Sequence, residues 1–171
     1  MNLCKKFLLF FILFGLSDLL SAQKIKESDI WSGTYVLSSL NKENSEVVDT
    51  LVITKTKDID SKEVGARYKS DLARWTIVSK KDKDQEIAIV RRFLFDVENK
   101  RDGYQEFGWS NLHKEGKMNC IDGGHFFICQ TQANTKVTFN KDESYFTKTG
   151  VFGIWLHYGI VELKKVESEK R

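Results

Sequence analysis

The chain has no proline, where average usage would supply about eight in 171 residues. No polyproline linker therefore divides it. No internal repeat or low-complexity tract breaks it either. Histidine is scarce, at three residues. None of His113, His125 and His157 sits in a local signature that pairs a base with a nucleophile. GxSxG, the phosphate-binding P-loop, HExxH, the EF-hand loop and GxGxxG are all missing. The carboxylate pairs Asp58/Asp60 and Asp82/Asp84 fall in turn-like segments and read as solvated. These absences point away from an enzyme and imply no cofactor. Charge of one sign is missing too: 27 Lys and Arg face 24 Asp and Glu. So small an excess argues against nucleic acid or an anionic membrane surface as partner.

What is present begins with the N-terminus, MNLCKKFLLFFILFGLSDLLSAQ. Lys5 and Lys6 precede an almost wholly apolar run from Phe7 to Leu16, and Ser21-Ala22 offers a small-residue exit. That layout predicts a secretory signal peptide over 1–22, cut before Gln23. A membrane span needs about 20 apolar residues, and Asp18 interrupts sooner, so no span is expected after cleavage. The remaining 149 residues, 23–171, suit one domain with its own core. The expected location is the periplasm or the outside of the cell.

Period-two patterns dominate this domain. TYVLSSL, VVDTLVITKTK, RWTIVSK, EIAIVRRFLFDV and KVTFN are rich in β-branched and aromatic residues. NKEN, KDID, KKDKD, ENKRDG, HKEG, DGG and NKDES separate them with turn chemistry. EIAIVRRFLF also has a helical reading, and its short β-branched run favours a strand. The expectation is an all-β single domain of about eight to ten antiparallel strands, either a barrel or a sandwich, with closure favoured because it removes edges. WSGTYVL and the final GVFGIWLHYGIVEL are the expected first and last strands, paired with each other. The final run is apolar on both faces. Either it is covered on both sides, or Phe152, Ile154, Trp155, Leu156 and Tyr158 line a cavity for a small apolar ligand.

Cys120 and Cys129 flank IDGGHFFI. In an oxidising compartment such a pair reads as a disulfide. A type II′ turn centred on Gly124-His125 puts the cysteines opposite each other at a non-hydrogen-bonded position, within bridging range. A turn on Asp122-Gly123 would separate them, and a looser loop closed by the same bridge is a further alternative. Cys120, His125 and Cys129 as zinc ligands lack CxxC spacing and a second cysteine pair, so no metal is expected. The hairpin tip, Gly124, His125, Phe126 and Phe127, is a candidate wedge for a partner. Aromatic and basic residues interleave in GARYKSDLARWTIVSK, with Arg67, Tyr68 and Trp75, and in RDGYQEFGWSNLHK, with Trp109. Such mixtures suit protein interfaces, and equally suit cross-strand pairs in a sheet.

Trp31, Gly33 and Tyr35 of WSGTYVL, followed by meandering strands, resemble the opening of small lipocalin-like barrels, although lipocalins place the glycine before the tryptophan. That resemblance implies a cup for an apolar ligand. Residues 64–90 resemble the central stretch of the membrane-bound family of C-type lysozyme inhibitors, through Gly65, Tyr68 and Trp75. Val64 stands where that family has serine, and Lys80-Lys81-Asp82 where it has Lys-Gly. Serine and lysine are the residues that family inserts into its target. Both resemblances imply an exported, non-enzymatic barrel. The leading expectation is a binding protein that masks or inhibits an envelope-directed protein, as an inhibitor or immunity protein does. The alternative is a carrier of a small apolar ligand such as a lipid.

Overall fold

A computed structural model describes residues 29–39, 46–69, 71–81, 87–96, 98–139, 143–155 and 159–166. The expected signal segment, Leu156 and Tyr158 lie outside them. The chain divides into two units, Met1–Ile30 and Trp31–Arg171, and the fold described here is that of the second. No helix among the described residues is long and apolar enough to cross a membrane.

Eight antiparallel strands close into a barrel. They are β1 (Gly33–Ser39), β2 (Val47–Lys55), β3 (Arg74–Ser79), β4 (Ile87–Arg92), β7 (Asn119–Asp122), β8 (Phe126–Gln130), β11 (Val151–Trp155) and β12 (Gly159–Val166). Each pairs with the next in chain order, and β12 returns to β1 through Thr34↔Val166 to Ser39↔Val161. Two hairpins are inserted into this meander. β5 (Phe95–Asp96) and β6 (Arg101–Asp102) form one, and β9 (Thr135–Thr138) and β10 (Ser144–Thr147) the other. A short helix, α1 (Ser110–Lys114), follows the first.

The expected pairing of first and last strands holds, with one correction. GVFGIWLHYGIVEL is two strands, β11 and β12, which pair from Phe152↔Glu162 to Trp155↔Gly159. Its last glycine, Gly159, has φ +65° and opens β12 where the chain re-enters the sheet, a backbone conformation that glycine adopts freely.

Side chains alternate across each strand, and this alternation builds two cores. Every barrel strand contributes to the first: Tyr35, Leu51, Trp75, Val90, Ile121 and Ile128 are among the residues packed in the interior. Phe126 and Trp155 join them from β8 and β11, with rings stacked at 4.6 Å and 2°. Gly153 makes room for that stack, because a Cβ there would strike the Trp155 indole. The second core lies on the opposite side of β7, β8 and β11, where Cys120, Cys129 and Phe152 meet Tyr104, Trp109, Met118 and Val137 from the insertions. Trp109 packs edge-on to Phe152 at 5.9 Å, and its indole N–H donates to the Thr138 carbonyl at 2.8 Å. The two-faced apolar pattern of the last run thus has its reason: β11 is covered on both sides.

The Cys120–Cys129 disulfide is present, with Cα atoms 4.1 Å apart. Its register follows from the turn. Gly124 takes φ +86°, the Gly123 N–H donates to the Phe126 carbonyl at 3.0 Å, and Cys120 faces Cys129. Both sulfur-bearing residues are buried in the second core. Burial pushes the Tyr104 phenol up to about 12, where its oxygen accepts the Cys120 N–H.

Candidate functional site

The structure disperses the sequence candidates. Trp75 is buried in the barrel and Trp109 in the second core, so neither offers a surface to a partner. At the hairpin tip Gly124 and His125 are exposed. Phe126 turns inward onto Trp155, and Phe127 turns outward against Phe93 and Phe107 at 5.5 and 5.1 Å. The tip therefore does not project a pair of phenylalanines. Phe152 is fully buried among rings and Trp155 lies inside the barrel, so these two line no open cavity; Ile154 is partly buried. Cys120 and Cys129 are bonded to each other, and no group of three or more His, Cys, Asp or Glu side chains is placed for a metal among the described residues.

Arg67 and Phe127 do border one cavity, and Tyr68 lies against Arg67 and Arg91 beside it. A cleft of about 670 Å³ opens outside the barrel. Its floor is the outward face of β4, β7 and β8, through Arg91, Asp122 and Phe127. One wall is the first insertion, through Phe93 and the segment Lys100 to Phe107. Arg67 closes the rim from a single 3-10 turn, Ala66–Tyr68, in the β2–β3 connection. The two aromatic-basic segments, distant in sequence, thus border one cavity.

The charges there are not equivalent. Asp122 holds Arg91 at 2.6 Å and also accepts the Gly124 N–H at 2.7 Å. The Tyr68 ring lies 4.7 Å from the same guanidinium, so Arg91 is held from two sides. Asp102 accepts the Tyr104 N–H at 2.8 Å and the Ser110 hydroxyl at 2.5 Å, which ties the hairpin to α1. Two of the three lining carboxylates are therefore engaged, and the third, Glu106, is exposed. Among the described residues Arg67 and Lys100 form no salt bridge, and Arg101 faces only the carboxylate of Asp96 across the β5–β6 pair. The cleft thus carries surplus positive charge beside an aromatic wall.

Lys100 sits at φ +53°, a left-handed conformation that a long side chain adopts at a cost of about 1 kcal/mol. The β5–β6 turn imposes it. Asp96 accepts both the side-chain amide of Asn99 at 2.8 Å and its backbone N–H at 3.2 Å. Those two bonds, side chain first, hold the Asp96 carboxyl below its ordinary value.

Sequence reasoning missed Arg91, Asp122 and Lys100 as members of a site. Arg91 had a readable signal: an arginine in an apolar strand, EIAIVRRFLF, must face outward or be paired. Lys100 had none, because only the turn geometry places it. No protein-family model, no curated protein and no solved structure matches the chain.

Proposed function

We propose that this protein is an exported, non-enzymatic binding protein that masks another protein, and that the cleft beside β4 and β7 is its working surface. The observation that carries the reading is the meeting of Arg67, Arg91 and Arg101 with Phe93, Phe107 and Phe127 around one cavity. Arginine and aromatic side chains on a rigid frame give large contact area at low ordering cost. The disulfide and the second core supply that frame directly beneath the cleft. Export agrees with the N-terminal pattern and with a disulfide. The interior of the barrel, filled by side chains from all eight strands, speaks against carriage of an apolar ligand there.

Capture from envelope extracts of the source cell tests this. The bait is the secreted chain, beside a cleft double variant, Arg67→Glu with Arg101→Glu. A Lys136→Glu control sits on β9, exposed and outside the cleft lining. The expected result is one protein retained by the wild type and the control and lost with the cleft variant. Retention of no protein, or equal retention by all three baits, contradicts the reading.

A further inference from the structure

The barrel has a weak seam. Six of the eight junctions and the closing β1–β12 pair run through four to six register pairs. The β4–β7 junction has only Arg91↔Asp122 and Arg92↔Ile121. Beyond Asp122, β7 turns away at Gly123 and Gly124. The Phe93 N–H donates to the Cys120 carbonyl at 2.9 Å, so the backbone groups of Phe93 face β7. Backbone groups alternate along a strand, so those of Arg91 and Ile89 face the same way. Arg91 meets Asp122. Ile89 meets no strand on that side among the described residues, and its side chain is 65% exposed.

A smaller cavity of about 160 Å³ marks this gap, lined by Ile89, Val90, Gly123 and Gly124. It shares Arg91 and Asp122 with the larger cleft. An open strand edge therefore runs directly into a pocket with surplus cations. An exposed edge with an apolar side chain is a template for another strand, and strand addition is an established route to peptide recognition.

We infer that the partner docks as an extended segment: a strand-forming half pairs antiparallel with β4 at Ile89, and an acidic half N-terminal to it lies in the cleft against Arg67, Lys100 and Arg101. Continuity of edge and cleft fixes the order of the two halves, because an antiparallel strand entering where β7 leaves off approaches from the cleft side. Charge complementarity fixes the acidic half. This inference rests on the masking reading and adds the chemistry of the partner's docking segment.

The probe is a fluorescein-labelled peptide, Asp-Glu-Asp-Glu-Thr-Val-Thr-Val, read by anisotropy with the secreted chain. Its companions are the acidic half alone and two N-methylated forms, one methylated at the threonines and one at the valines. Saturable binding is expected, weakened more than tenfold by Arg67→Glu with Arg101→Glu. One methylation register should abolish binding and the other should be tolerated, because only alternate N–H groups face β4. Binding of the acidic half as tight as the whole peptide overturns strand addition, as does equal tolerance of both methylations. Displacement by inorganic phosphate, but not by sodium chloride of equal ionic strength, assigns the cleft to a free anion and overturns the proposal. Absence of binding at millimolar peptide does so too. A protein captured from envelope extract and lost with the cleft variant, where the peptide itself fails these tests, would leave the masking reading standing and remove this one; capture of nothing, or equal capture by all baits, removes the masking reading itself.

Discussion

Glu162 is a carboxylate buried on β12, and its side chain holds the β9–β10 hairpin against the barrel. Tyr145 donates to one oxygen at 2.5 Å, and Thr147 and the Thr149 N–H donate to the other at 3.1 and 2.5 Å. Burial pushes the Glu162 carboxyl up, but the bonds from Tyr145, Thr149 and Thr147 outweigh it and leave it below its ordinary value. Burial, and then the bond to Glu162, push the Tyr145 phenol up. A lowered folded pKa means that this stabilisation is complete above the ordinary carboxylate range. It is lost as pH falls from about 4.3, the ordinary glutamate value, through the folded value. Melting temperatures measured from pH 7 to pH 2 should therefore fall below about pH 4.3. Glu162→Gln should be less stable at pH 7 by about 1–3 kcal/mol and should lack that part of the acid dependence. Glu162 was not readable as special in GIVELKKV, since its donors come from a hairpin whose position only tertiary packing decides.

At the scale of elements, the Cys120–Cys129 hairpin was legible because glycine at the first central turn position fixes the register, and register fixes which side chains meet. The final apolar run was less legible. A pattern apolar on both faces does not say where a strand ends, and the reversal before Gly159 split it. The aromatic-basic segments were ambiguous for a similar reason. Trp75 and Trp109 went to two different cores, while Arg67 and Arg101 reached the cleft. Closing the short loop between the cysteines stabilises by about 2–3 kcal/mol in the chain-entropy model. Urea unfolding of the Cys120→Ala/Cys129→Ala variant should show a loss of at least that size, since the cysteines also fill the second core. Trp109→Ala should cost about 3–5 kcal/mol and should loosen the cleft wall, because Phe107 stacks on Trp109 at 4.6 Å. An unchanged urea midpoint in either variant would remove the second core from the account of stability.

At the largest scale, the described part of the unit from Trp31 onward is a filled barrel with a second core on one flank. Native mass spectrometry should accordingly find the purified chain free of bound lipid, and a stoichiometric lipid adduct would restore the carrier reading. The central claim concerns the flank: the cleft over that second core is where a partner protein sits. Site-specific photo-cross-linking tests it most directly. The photoreactive residue is placed at Gln105 on the cleft wall and, separately, at Lys136 on β9, each in the full chain expressed in living cells. The account predicts a discrete protein adduct from position 105 and none from 136. An adduct from 136 alone, or from neither position, would contradict it.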